Sequence, residues 1–485
     1  MNQDISRRTF LNRSLAGIVV IGFDLKLRRW ITKTDPTEAI LAEDFPELDG
    51  ELLTENINYA NEDFGGIISK SAIAVLLPGS QDDIVKLVRF ASNHRIKVAP
   101  RGRGHSTFGQ SQVDAGIAID LSSLNRVREI NASEVLVDAG ATWLDVLEAT
   151  LKFDRTLPVL TDYLGLSVGG TLSVGGLGGQ SFQYGAIVDN VLELEVISGK
   201  GNLITCSQDR NAVVFESIRS SLGQFGIIVG ARLRLIPAPS KARIYNLVYK
   251  NLATFAEDQQ LAIEDRRFDS VEGSILPDDR GGWLYILEAA KYFNPGNEPD
   301  DDRLLTGLSF LLGKERIEDK NYFDFLNRLE PVVSNFKEDD LWDIPHPWID
   351  LFLPADRAVD FIAEVLDNLN PADIGYSTGL ILLDRLERDK FHSPFLITPN
   401  SKQFFLFSLL RAATNDSIGV EAMLEANQKL YERCIAIGGK IYPNKSIAMH
   451  PIYWQQHYQS LWYAFVAHKS RFDPAKILTP GQNIF

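Results

Sequence analysis

Between residues 161 and 180 the chain carries seven glycines in twenty positions, and this stretch narrows the available folds more than any other. Glycine at that density gives up side-chain packing and adds backbone entropy to be lost on folding. The segment therefore has to bend sharply or let something approach its backbone closely. Ser167, Thr171 and Ser173 place hydroxyls among free backbone N–H groups there, a composition suited to phosphate. Leu172, Val174 and Leu177 interleave with the glycines and read as buried, which argues against a merely flexible tract. Asp162 stands just ahead, flanked by Leu160 and Tyr163. A carboxyl among apolar neighbours is desolvated, its pKa rises, and it becomes a usable general base near neutral pH. A turn former or helix cap is the plainer reading of the same aspartate.

A second glycine-rich stretch lies upstream. Residues 99–110 read Ala-Pro-Arg-Gly-Arg-Gly-His-Ser-Thr-Phe-Gly-Gln, between the apolar strand patterns 96–99 and 116–121. Gly102, Gly104 and Gly109 allow tight turning, and Arg101 and Arg103 add charge that suits a pyrophosphate. His105 among them can serve as a nucleophile or covalent anchor, or as a solvated histidine on a surface turn. The Rossmann fingerprint fails, because a third glycine would be needed where Thr107 stands.

Around these stretches strand and helix patterns alternate. Residues 72–77 read as a strand closed by Pro78, and Ile84, Leu87, Val88 and Ala91 recur at helical spacing over 82–93. A strand at 135–137 is followed by a helix pattern over 142–151. Residues 191–196 alternate strictly before the Ser-Gly-Lys-Gly turn at 198–201 and a further strand at 203–205, a hairpin signal. Hairpins mixed with helices indicate α+β rather than a doubly wound parallel sheet. Past Pro237-Ala238-Pro239 the texture changes to longer helical patterns, aromatics and charge clusters over 240–440, as expected of a second domain.

With 485 residues the chain has room for two substantial cores. A net charge of −15 argues against a nucleic-acid binder. Two cysteines, Cys206 and Cys434, are too few for a disulfide framework or a zinc site, and the seven histidines show no metal-ligand spacing, so no metal is expected. At the N-terminus, Ser6-Arg7-Arg8-Thr9-Phe10-Leu11 resembles a twin-arginine export motif and precedes an apolar stretch at 15–23. That stretch is too short for a membrane span, which takes about 20 residues. Export to the periplasm or exterior by the twin-arginine route is the expectation, with a cytoplasmic enzyme as the alternative. Residues 1–30 then form the export segment and 31–60 a linker.

Taken together, the blocks resemble the cytokinin dehydrogenase family, flavoproteins with the PCMH-type, or vanillyl-alcohol-oxidase-type, FAD fold. Arg101-Gly102-Arg103-Gly104-His105-Ser106 is similar to the family loop whose histidine is bonded to the flavin 8α-methyl group. Thr161-Asp162-Tyr163-Leu164 and Val168-Gly169-Gly170-Thr171-Leu172-Ser173 resemble its catalytic-aspartate and phosphate-loop segment. Val191-Leu192-Glu193-Leu194 and Leu222-Gly223-Gln224-Phe225-Gly226-Ile227-Ile228 follow in order. Trp342-Asp343-Ile344-Pro345-His346-Pro347-Trp348 with Leu351-Phe352-Leu353-Pro354 is similar to the substrate-domain signature, and Phe472-Asp473-Pro474 with Ile477-Leu478-Thr479-Pro480-Gly481-Gln482 to the family ending.

The resemblance implies an FAD-binding domain over 61–240, an α+β substrate domain over 241–440, and a segment 441–485 that returns to the FAD domain. It implies FAD held by Gly102, Arg103, Gly104, His105, Ser106, Gln110, Asp162, Ser167, Ser173, Leu177, Ile228 and Gln482, with a covalent bond through His105. No cysteine sits near Ser167, so a second covalent bond is not expected. Asp162 is the implied base and substrate contact, and Trp348 and Leu380 the implied pocket lining. The implied reaction is oxidative cleavage of the N6 side chain of an isoprenoid adenine, with oxygen or a quinone as electron acceptor.

One departure bears on substrate. Glu330 and Val333 occupy the places of a family histidine and of a glutamate that helps bind substrate. Two other readings therefore stay open: a PCMH-type oxidase of a sugar, lactone or alcohol, and a low-turnover cytokinin or flavin binding protein.

Overall fold

The computed structural model describes residues 19–24, 29–33, 46–278 and 280–485. Val19–Asp24 and Arg29–Lys33 pair as an antiparallel hairpin, while the twin-arginine-like motif at 6–11 lies outside the described residues. No helix among the described residues is long and apolar enough to cross a membrane.

Two larger sheets organise the first half among the described residues. In the smaller, Ala74–Leu77 leads through the helix Gln81–His94 to Val98–Arg101, and Ile117–Asp120 lies between the two strands, parallel to both. The apolar stripe read from the sequence, Ile84, Leu87, Val88 and Ala91, is fully buried. The expected strand at 96–99 sits two residues later and takes in Pro100. An edge position permits this: Val98 N–H donates to Ile477 O, Thr479 N–H donates back to Val98 O, and no bond is asked of the proline nitrogen. Gly102–Gln110 thus begins at the carboxyl end of a parallel strand, where α/β sheets bind ligands.

The second sheet is antiparallel, in the order Leu203–Ser207, Val191–Ser198, Gly226–Arg234, Glu134–Asp138, Val127–Ile130, and contains the expected hairpin. A register shift between Val196↔Ile228 and Glu195↔Gly230 reverses the side-chain phase along Gly226–Arg234. Ile227 and Val229 consequently enter the core of the smaller sheet, whereas Ala231 and Leu233 enter the main core. The helix expected over 142–151 runs Trp143–Leu151, with Thr142 and Asp145 closing a capping box.

Residues 240–440 differ from the sequence reading. Helices are present, but the organising element is an eight-stranded antiparallel sheet in the order Arg316–Asn321, Lys241–Tyr249, Trp283–Phe293, Ser270–Pro277, Leu380–Glu387, Gln403–Leu410, Ile349–Pro354, Lys440–Lys445. The helices Leu252–Glu264, Ala355–Asp367 and Val420–Ala436 cover one face. A strand covered on both faces loses its polar alternation, as in Gln403–Leu410, Gln-Phe-Phe-Leu-Phe-Ser-Leu-Leu, and so escapes a period-two reading. One buried apolar cluster runs from Val135 through Leu247 and Phe352 to Phe465, joining both halves of the chain.

Candidate active site

The face of the eight-stranded sheet opposite these helices lies under the first half of the chain and is the floor of a cavity of ≈ 550 Å³ between them. Its floor residues stand at every second position: Asn246, Glu272, Ser274, Ile286, Glu288, Leu380, Leu382, Asp384, Leu406, Ser408, Leu410 and Asp350. Register turns them into rows. Ile286, Ser274, Leu382, Ser408 and Asp350 lie side by side across five strands, and Asn246, Glu288 and Glu272 across three.

The opposite wall is made by the two glycine-rich stretches. Gly104 turns with φ +68°, a left-handed conformation that favours glycine, and Gly102 lies so close to Ser167 that a Cβ there would stand 1.9 Å from its Oγ. Part of the 161–180 stretch is a short helix, Val168–Val174, rather than open loop. Gly169 lets this helix lie directly on Ala139, to whose carbonyl its N–H donates at 2.8 Å. Leu172 is buried as expected, but Val174 and Leu177 are only partly so and face the cavity.

Asp63, which the sequence did not single out, holds the upstream loop: its Oδ2 accepts from Ser106 Oγ (2.8 Å) and Gly109 N–H (2.7 Å). Burial pushes its carboxyl up to about 6. Gln110 Nε2 donates to Lys445 O at 2.7 Å. Arg103 reaches the cavity, but Arg101 does not share the expected phosphate-facing role; its guanidinium folds back beneath Gly104 and donates to Glu62 O.

His105 lies in an aromatic box. Phe64 is stacked between His105 (4.0 Å) and His346 (4.1 Å), with Trp342, Trp348 and Tyr163 closing round. Loss of solvation, with His346 adding to it, lowers the His105 pKa to about 4, so its imidazole is neutral at physiological pH.

Asp162 overturns one premise of the sequence reading. Its carboxylate is not enclosed by apolar neighbours but is one-third exposed and paired with Arg328, whose Nη2 lies 3.1 Å from Oδ1. Arg328 also bonds Glu272 and lies 3.0 Å from Glu288. Burial pulls the Arg328 pKa down, but Glu272, Asp162 and Glu288 outweigh it and the guanidinium is held charged. Burial raises Glu272 well above the usual carboxylate range, and pushes Asp350 and Asp384 up to about 7. Glu272, Glu288, Arg328 and Asp384 were absent from the sequence reading, as were Tyr442 and Asn444 on the last strand.

The structure gathers onto this one cavity every residue that the resemblance assigned to FAD or substrate: Gly102, Arg103, Gly104, His105, Ser106, Gln110, Asp162, Ser167, Ser173, Leu177, Ile228, Gln482, Trp348 and Leu380. Glu330 and Val333 do not line it; Glu330 is exposed and Val333 is buried in the helix Glu330–Glu338. The wall fits a flavin dinucleotide. Its backbone has room only where side chains are absent, and the buried Gln482 Oε1 has no hydrogen-bond partner of its own. An apolar pocket with a few convergent polar groups, split between a backbone wall and a side-chain floor, has the make-up of a site for a cofactor and a small-molecule substrate.

The comparisons agree. Residues 72–207 match a family profile described as FAD binding domain, and 275–485 one described as "Cytokinin dehydrogenase 1, FAD and cytokinin binding". An uncharacterized oxidoreductase, ORF5 in the fasciation locus of Rhodococcoides fascians, is 40% identical, with 88% of this chain and 96% of that protein aligned. Cytokinin dehydrogenase 2 of Arabidopsis thaliana is 36% identical, covering 88% and 92%. The crystal structure of 6-hydroxy-D-nicotine oxidase from Arthrobacter nicotinovorans shares the fold at 19% identity, with a TM-score of 0.69 and 89% and 96% coverage. The chain belongs to the cytokinin dehydrogenase family.

Proposed function

We propose that this cavity cleaves the N6 side chain of isopentenyladenine-type cytokinins to adenine and an unsaturated aldehyde. The observation that carries this reading is the position of Asp162, at the seam where the flavin-loop wall meets the side-chain floor. The glycine-rich wall and Gln482 would hold FAD, which would supply a two-electron hydride acceptor. Asp162 takes the proton from N6–H while the adjacent CH₂ carbon gives up its hydride, which leaves a C=N bond in the substrate. Water then hydrolyses that imine to the amine and the aldehyde. Leu380, Leu382, Leu406 and Leu410 offer the isoprenoid chain an apolar floor, and Trp348 bounds it. His105, neutral and boxed by rings, is the residue suited to bond the flavin 8α-methyl group.

Anaerobic mixing with isopentenyladenine should bleach the flavin. In Asp162→Asn, flavin content should persist while reduction slows by about 10²–10⁴-fold; near-normal reduction would defeat the base assignment. In the wild type, acid precipitation should leave the flavin on the protein, and in His105→Ala it should release it. Flavin released from the wild type would rule out the covalent bond.

The second reading, an oxidase of a sugar, lactone or alcohol, draws on the absence of Glu330 and Val333 from the cavity; a bleaching screen across cytokinins, sugars and alcohols separates the two. Oxygen and a quinone are the proposed acceptors, distinguished by which one restores flavin absorbance faster. Export by the twin-arginine route is also proposed; loss of Arg7 and Arg8 should keep the protein inside the cell.

A further inference from the structure

The floor of the cavity carries a charge arrangement that proton transfer by Asp162 alone does not require. Glu272 and Glu288 stand directly opposite each other on neighbouring antiparallel strands, where like charges repel. Asp384 joins them from the next strand, accepting the Gly273 N–H at 2.8 Å, and Asp162 descends onto the same spot from the glycine-rich wall. Four carboxyl groups from four segments thus converge at one end of the cavity.

The cation among them is Arg328. Nη2 bonds both Asp162 and Glu272, so one nitrogen couples the orientations of the two carboxylates, while Nε lies 3.0 Å from Glu288. The guanidinium is fixed from behind: its carbon lies 4.9 Å from the centre of the Phe325 ring, and Nη1 donates to Phe325 O at 3.5 Å. Besides the four carboxyls, Tyr292, whose hydroxyl accepts from Gln180 Nε2, lies close enough to Arg328 to feel its charge, whereas Tyr163, next to Asp162 in the chain, packs on His105 and Trp342.

We propose that Arg328 is the positioning residue of the site: through one nitrogen it aims Asp162 into the cavity, and through its charge it opposes the burial that favours protons on the acidic floor. This rests on Asp162 being the base. The sign follows from the charges. A guanidinium amid carboxylates favours their ionised forms, so its removal raises the pH at which the cluster takes up a proton, and removal of a neighbouring carboxylate lowers it.

The test is the pH dependence of anaerobic flavin reduction by isopentenyladenine, with flavin content recorded for each variant. In Arg328→Gln the acid limb should move up by at least one pH unit, and the plateau rate should fall at least tenfold. Arg328→Lys should bring the limb most of the way back while the plateau stays low, because a single ammonium cannot span three carboxylates. Glu288→Gln should move the limb the other way, to lower pH, which simple loosening of the fold would not do. A flavin-loaded Arg328→Gln with an unmoved limb overturns the proposal. Should that variant not load flavin, an unmoved limb in Glu288→Gln overturns it instead. Asp162→Asn separates the two failures: normal reduction there defeats the base itself, whereas slow reduction with unmoved limbs in the other variants defeats only the role of Arg328.

Discussion

On one side of the cavity the ligand-facing surface is largely backbone, released by Gly102, Gly104, Gly169, Gly170 and Gly176; on the other it is side chains standing at alternate positions of seven strands. The backbone wall has little freedom to change, since a single carbon added at Gly102 meets Ser167. On the floor, alternation lets each residue be exchanged without moving its neighbours, which point to the opposite face. Cofactor binding and substrate choice are therefore carried by two materials with different tolerance, the first by shape of the chain and the second by identity of its side chains.

The comparison breaks most easily at Gly102. Gly102→Val should reduce flavin content, read as the ratio of 450 to 280 nm absorbance, to less than about one-tenth of wild type, because the new carbon sits where Ser167 Oγ already is. Flavin content near that of the wild type would show that the wall yields. A smaller effect, on the floor, sharpens the contrast. Burial pushes Asp350, bonded to Ser408 and Asn444, up to about 7, so it folds in its protonated form below that pH. The stability this form contributes is fully present below the ordinary carboxyl value, about 4, and is lost as pH rises towards about 7. Asp350→Asn keeps the shape and removes the titration. Its unfolding temperature should match wild type near pH 4.5 and exceed it by a few degrees at pH 8; a difference that stays flat with pH would refute the assignment.

The same division explains what was legible in the sequence. The wall is written locally: consecutive glycines, a histidine between them and an aspartate ahead of them mark a backbone built for close approach. Residues as far apart as Gly102 and Gln482 were placed together only because their blocks resemble a family. The floor is written in register. Glu272, Glu288 and Asp384 each stand two residues from an apolar or small neighbour on the same face, a period-two trace that was present in Ser270–Pro277, Trp283–Phe293 and Leu380–Glu387. Which strand lies beside which is not recorded in any one of them, so three acids in a row could not be seen. Arg328 follows the short helix Tyr322–Leu326 and carries no local signature at all. Asp162 was singled out as a candidate base, but the surroundings assumed for it were wrong, since its partner lies 166 residues away.

The hydrogen bonds that seat Ile477 and Thr479 against Val98 also impose an order of events during synthesis. The strand that launches the flavin loop waits for an edge partner some 380 residues downstream; Lys97 Nζ, next to it, bonds Lys476 O across a separation of 379 residues. At about 5–20 residues per second the ribosome needs roughly 20–75 s to supply that partner. Gln482, which closes the cavity beside it, arrives later still. The cradle therefore stays unfinished until residues 476–482 have been made.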